Sequence, residues 1–224
     1  MPSSPLAALP SLEYPDLLSS VGGAISLNFN PILLQKYINI IVPSIAKTGD
    51  DEQHGSTVLA DIAVLQALSK RVHYGKFVAE SKYRSDPEGY QRLVDNNDAE
   101  GVMALLTNAP VEARVLRRAK IKAATYGREP LMTQLPLEKS VECSDTTSFV
   151  AAAAASAVAS AFEALGEGGP LSSNSKVEPS VIEDIYRDFI IPLTKDIEVA
   201  YLFRRCGKKP PEEFAPDRMS RDVL

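Results

Sequence analysis

The amino-acid sequence predicts an all-α protein, a single-domain helical bundle. Two observations carry this expectation. Apolar residues recur at helical spacing through several long stretches, while period-2 alternation is almost absent. Helix start and stop signals also stand at the edges of those stretches, as at Asn30-Pro31, Asp98, Pro110 and Gly127. Repeats at solenoid spacing are not seen.

Residues 1–29 read as an irregular N-terminus, with prolines at 2, 5, 10 and 15 and glycines at 22 and 23. Asn30 before Pro31 opens the helix PILLQKYINIIV, which is expected to stop near Pro43. After the polar loop AKTGDDEQHGS, Ser56 or Thr57 caps a helix that runs to about residue 84. Within it LSKRVHYGKFVAESKYRS, residues 68–85, reads as one continuous helix. A capping residue before Pro87 opens a short helix, Asp98 caps AEGVMALLTN, and Pro110 starts VEARVLRRAKIKAATYG, which Gly127 ends. Composition changes over 128–176, an insertion with a loop, an alanine-rich helix at 148–165 and a Gly/Ser-rich linker. The last strong segment, PSVIEDIYRDFIIPLTKDIEVAYLFRR, is helical with a kink or break at Pro192. Residues 207–224 read as a flexible tail.

At 224 residues the chain can bury one sizeable core, and 45% hydrophobic with 24% charged residues is ordinary for a folded globular protein. A net charge of −5 argues against a nucleic-acid surface. No apolar run approaches the roughly 18 residues that cross a bilayer, and the proline-broken start is a poor secretory signal. A cytoplasmic protein with neither nucleic-acid nor membrane partners is the expectation. Cys143 and Cys206 lack metal-ligand spacing, His54 and His73 lie far apart, and no phosphate-binding glycine motif occurs. No metal and no cofactor are therefore expected.

Chemistry is carried by polar residues on apolar faces. Arg71 and Lys82 are eleven residues apart, close to three helical turns, and share a face with Val64, Ala67, Leu68, Gly75 and Val78. Asn108 and Glu112 are four apart, beside Val102, Leu105 and Val115. Thr194 and Glu198 are also four apart, beside Ile190, Ile191 and Tyr201. Any one pair is more simply a set of boundary residues with wet head groups. Three pairs facing one bundle interior make a polar pocket with dry walls, suited to a small anion that also carries hydroxyl or ether oxygens. The basic run Arg114, Arg117, Arg118, Lys120 and Lys122 reads as a solvated helix face, and His73 as a helix-boundary residue.

At these residues the sequence resembles the eukaryotic all-helical chorismate mutases. LQALSKRVHYGKFVAESKYRSDPEGY, LLTNAPVEARVLRRAKIKAATYG and IIPLTKDIEVAYLFRR carry the resemblance, supported by LPSLEYPDLL, KTGDDEQHGS and IYRDFIIPLTK. It covers roughly residues 9–127 and 176–206. The resemblance implies a cofactor-free isomerase that rearranges chorismate to prephenate on the way to phenylalanine and tyrosine. It implies that Arg71 holds a substrate carboxylate and that Lys82 contacts a carboxylate and the ether oxygen. Asn108 and Glu112 would flank the ring hydroxyl, and Thr194 would meet a carboxylate. Glu198 would face the ether oxygen opposite Lys82. It further implies a homodimer and an effector loop at Gly55 and Ser56 that takes tyrosine or tryptophan.

The family opens with a long N-terminal helix bearing a second substrate-binding arginine, and nothing before residue 30 reads as that helix. A bundle lacking that wall, and a site lacking its third cation, are therefore expected. The alternative function is a truncated or catalytically impaired relative that acts as a binding or dimerisation partner.

Overall fold

The structure, a computed structural model, describes residues 16–50, 52–126 and 177–218. Helix α1 (Asn30–Lys36) passes through a π turn (Tyr37–Ile41) into α2 (Val42–Ile45). Then follow α3 (His54–His73), α4 (Gly75–Ser85), α5 (Pro87–Asp95), α6 (Ala99–Leu106) and α7 (Ala109–Tyr126). After the undescribed segment come α8 (Pro179–Ile185), a second π turn (Tyr186–Ile190) and α9 (Ile191–Arg205). Short 3₁₀ turns lie at Val21–Ser26 and Glu212–Phe214, and no strand occurs among the described residues.

Helix α9 is the axis of the bundle. From Ile197 to Phe203 every residue is buried, whichever way its side chain points. A helix apolar on one stripe can sit at a surface, but one wrapped on all sides needs neighbours all round. Helices α3 to α6 and the 3₁₀ turn at Val21–Ser26 supply them. Tyr201, Phe203, Ile197 and Leu202 are completely enclosed there, with Phe29, Ile32, Val72, Val94 and Val102 brought in from other elements. Each such large apolar side chain contributes roughly 1.5–3 kcal/mol on leaving water.

The segment from Leu17 to Phe29 has only the short 3₁₀ turn at Val21–Ser26 to satisfy its own backbone, and bundle side chains bond several of the remaining groups. Ser19 N–H donates to the Tyr201 hydroxyl at 2.9 Å. Arg84 Nη2 donates to Leu17 O at 2.9 Å, and Lys76 Nζ donates to both Ile25 O and Leu27 O at 3.0 Å. Arg204 Nη1 reaches Gly23 O at 3.3 Å. Phe29 N–H donates to His73 Nε2 at 3.0 Å, while His73 Nδ1 lies 2.8 Å from Ser69 O. That pairing needs a neutral ring protonated on Nδ1, and burial lowers the His73 pKa to match. His73 is thus a clasp between segments.

Several expectations are met and others are corrected. Asp86 and Asp98 cap α5 and α6, their Oδ1 atoms accepting from Gly89 N–H at 2.9 Å and Gly101 N–H at 2.8 Å. The helical run that opens at Asn30 ends at Ile45, near Pro43 as expected, and of the kink or break expected at Pro192 the break does not occur. Each proline lies just beyond a π turn, in the first turn of the helix that follows. A proline lacks an N–H and crowds the carbonyl four residues back, and a widened turn gives that carbonyl room while the helix continues. Helix α3 starts at His54, ahead of Ser56 and Thr57. Ser56 Oγ donates to Gln53 O at 2.9 Å from within the first turn, so it is not a cap. The stretch 68–85 is divided at Tyr74, beside the glycine where α4 meets α9.

Residues 207–218, expected to be part of a flexible tail, pack onto the bundle. Lys208 Nζ donates to Val94 O at 3.2 Å and Asp95 O at 2.8 Å, at the negative end of the α5 dipole. Arg218 Nη2 pairs with Asp196 at 2.7 Å, and Ala215 is buried. The remaining tail, most of the irregular N-terminus, the Gly127 stop, Cys143 and the insertion at 128–176 with its alanine-rich helix lie outside the described residues.

Gly22 has φ +57°, and a Cβ there would lie 2.4 Å from Arg204 O. Gly22→Ala therefore combines left-handed strain with a backbone clash, and should lower unfolding stability by more than about 1 kcal/mol. Chemical denaturation checks this, and an unchanged midpoint would rule out the contact.

Candidate active site

Helix α4 meets α9 at a glycine. A Cβ on Gly75 would sit 3.0 Å from both Thr194 Cγ2 and Thr194 O, and 3.1 Å from Glu198 Cγ. Only hydrogen fits without displacement, so the two helices approach at the level of Thr194 and Glu198. Gly75 lies four residues after Arg71 and seven before Lys82, on the same side of the helical path.

Glu198 is buried, at 7% exposed, and burial pushes its carboxyl up to about 7. Lys82, then Lys195, then Arg71 oppose that rise by stabilising the anion, and Glu112 adds to it. Glu198 is therefore poised between acid and anion near neutral pH, among three cations. Lys82 Nζ donates to Leu106 O at the C-terminal end of α6, where helix carbonyls lack intrahelical partners. Glu112 pairs with Lys195 at 2.7 Å, linking α7 to α9. Tyr90 on α5 is buried nearby. Its phenol is pushed up by burial first, then by Asp86 and Glu198.

The structure thus groups Arg71, Lys82, Glu112 and Glu198 electrostatically and buries Thr194 beside them. The Thr194 hydroxyl donates to Ile190 O, at the end of the preceding π turn, at 2.6 Å, leaving its oxygen as an acceptor. Asn108 also serves as a cap for α7. It precedes the first residue of α7 and is exposed, and its Oδ1 accepts Val111 N–H at 3.2 Å. Glu112 N–H donates to Asn108 O at 3.0 Å, the helical bond across four residues, so Glu112 stands one turn beyond Asn108. Lys195 was missed by sequence reasoning. Its available signal was a spacing of three residues from Glu198, which makes the two helical neighbours. Gly55 and Ser56 lie in the first turn of α3, where a Cβ on Gly55 would meet nothing within 4 Å.

Chemically, the arrangement can bind an anion bearing more than one carboxylate and can present a hydrogen-bond donor to an oxygen between them. Among the described residues, no group of three or more His, Cys, Asp or Glu could hold a metal ion. None of the described helices is long and apolar enough to cross a membrane.

The profile of the family "Chorismate mutase type II" matches residues 56–199. The chain belongs to this family. It is 36% identical over 204 residues to "Chorismate mutase 1, chloroplastic" of Petunia hybrida, covering 90% of this chain and 52% of that protein. It is 38% identical over 207 residues to the chorismate mutase of Pichia angusta, covering 92% of this chain and 61% of that one. Its fold is similar to the crystal structure of the Candida albicans chorismate mutase in complex with L-Trp, with a TM-score of 0.66 at 33% identity. That match covers 92% of this chain and 63% of the Candida albicans chain. The chain spans 52% to 61% of the length of these curated relatives.

Because Lys82 is the leading charge that stabilises the Glu198 anion, Lys82→Met should move the Glu198 titration midpoint above about 7. Glu112→Gln, which removes a like charge, should move it down. Carbon-13 NMR of the glutamate carboxyls reads both, and shifts in the opposite directions would show that these groups do not face Glu198.

Proposed function

We propose that this chain catalyses the rearrangement of chorismate to prephenate, a cofactor-free step of phenylalanine and tyrosine biosynthesis. The observation that carries the reading is a buried carboxyl, Glu198, held near pKa 7 with Lys82, Lys195 and Arg71 around it. Chorismate is a dianion with an ether bridge, and it must fold into a compact conformer before the bond between its two halves can form. Cations that hold both carboxylates select that conformer, which is catalysis by positioning. In the reaction one C–O bond breaks and one C–C bond forms within the same molecule, with no net gain or loss of protons.

Arg71 takes one carboxylate, and Lys195 takes the other after exchanging its partner Glu112 for substrate. Lys82 donates to the ether oxygen from one side, and protonated Glu198 donates from the other. Negative charge grows on that oxygen as the bond lengthens, so fixed donors stabilise the transition state more than the ground state. Glu112 and Asn108 lie toward the ring hydroxyl, and the Thr194 oxygen stands at the carboxylate side.

A homodimer is part of the proposal. Leu34, Ile38, Val58, Leu59 and Ile62 are each about half exposed or more, on α1, the first π turn and α3. An exposed apolar surface of that kind fits a protein partner. The Gly55–Ser56 turn is the proposed effector loop for tyrosine or tryptophan, supported by the L-Trp complex of the Candida albicans relative. The proposed place of work is the cytosol.

Following chorismate absorbance with the purified protein tests the reading. Arg71→Ala and Lys82→Ala should each lower kcat/KM by roughly 10²–10³-fold, the effect expected for losing one transition-state donor. Loss of chorismate at only the spontaneous rate, from folded protein, would overturn the enzyme reading. Binding of chorismate under those conditions would favour the impaired relative.

The pH profile is a second test. Glu198 donates only when protonated, so activity should fall as pH rises through about 7, and Glu198→Gln should remove that limb. The stability sign is the same. A carboxyl raised from 4.5 to about 7 on folding contributes stability at low pH, and that contribution is lost as pH rises through about 7. An unchanged profile in Glu198→Gln would remove Glu198 from the donor role.

A further inference from the structure

A second buried carboxylate lies on the same pair of helices, outside the site. Glu80 on α4 is 4% exposed. Its Oε1 accepts from Arg84 Nε at 2.9 Å, and its Oε2 accepts from the Tyr201 hydroxyl at 2.8 Å and Arg205 Nε at 3.1 Å. The Arg205 guanidinium also lies over the Tyr83 ring, 4.4 Å from its centre. The Tyr201 hydroxyl in turn accepts Ser19 N–H, which ties the N-terminal segment into the same knot. Burying a carboxylate is costly unless several donors meet it, and replacing such a cluster with apolar residues is often neutral or stabilising. Bulk stability is therefore a weak reason for Glu80.

Position offers a better one. Gly75 faces Thr194 and Glu198, and one to two turns further on Glu80 faces Tyr201 and Arg205, so α4 and α9 advance together. At Gly75 there is no side chain to interlock with α9, and a glycine contact does little to resist sliding. The register must be held elsewhere. Glu80 is two residues from Lys82, while Tyr201 and Arg205 are three and seven residues from Glu198.

We propose that Glu80 is a positioning residue, whose hydrogen bonds to Tyr201 and Arg205 hold α4 and α9 in the register that sets Lys82 against Glu198. The kinetic part of this inference rests on the chorismate mutase reading, and the geometric part does not.

A titration cycle tests it on the full chain. The groups that face Glu198 are Lys82 on α4, Lys195 on its own helix, Arg71 on α3, Glu112 on α7 and Tyr90 on α5. Lys82→Met displaces the Glu198 midpoint by an amount that reports how closely the two groups face one another. In a Glu80→Gln background that displacement should shrink to less than half, and Tyr201→Phe should shrink it in the same direction. All variants are read by carboxyl carbon-13 NMR at temperatures where circular dichroism shows them folded. If Glu80→Gln does not fold, Tyr201→Phe decides. An undiminished displacement overturns the proposal, since a purely structural role would lower Tm and leave the coupling intact. In turnover, Glu80→Gln should lower kcat by roughly tenfold to a hundredfold while KM moves far less. An unchanged kcat likewise overturns it. A wild-type chain that leaves chorismate unconverted refutes the proposed reaction instead, and the titration cycle then decides on Glu80 by itself.

Discussion

Where Gly75 meets α9, the missing methyl sets the distance between the helices, and the rest of the site follows from that distance. Thr194 and Glu198 are pressed against the α4 backbone, so the Glu198 carboxyl is stripped of water. Desolvation is the largest influence on it. Lys82, Lys195 and Arg71 act on Glu198 from three helices, and their pull stops the carboxyl short of being permanently protonated. A group balanced in this way can switch between donor and anion near neutrality, which an exposed glutamate cannot do.

The packing that creates this balance leaves other groups to be satisfied. The N-terminal segment packs on α9 with a backbone that its short 3₁₀ turn satisfies only in part. His73, Lys76, Arg84, Tyr201 and Arg204 are drawn from three helices to bond it. The polar faces of α3, α4 and α9 are thus divided between two tasks. One side of the α4–α9 pair faces the site and the other holds the segment, with Glu80 and Tyr201 at the junction. The two π turns belong to the same economy of backbone bonds. Each lets a proline enter a helical run, and the second run continues through the whole of α9.

Much of the fold was legible because local chemistry decides it. Asp86 and Asp98 cap helices because an acceptor three residues before an unpartnered N–H bonds it wherever the helix is placed. Arg71, Lys82 and Glu198 could be grouped because helical spacing and family resemblance agree on them. Asn108 was legible as a polar residue one turn before Glu112 but not as a cap, since spacing does not say which backbone N–H its side chain bonds. The tail at 207–218 was misread because proline and charge signal disorder locally, whereas Lys208 and Arg218 find partners on α5 and α9.

By itself, the sequence determined which stretches are helical, where most of them begin, and that cations and carboxyls line apolar faces. These are consequences of backbone geometry and side-chain spacing within a single segment. Only the tertiary structure decided that Lys195 joins the charge cluster, that Glu198 titrates near neutrality, and that Glu80 bridges α4 to α9. Those properties depend on how much water is excluded and on which charges arrive from other helices. Both are set by packing between segments far apart in the chain, and no local pattern encodes them.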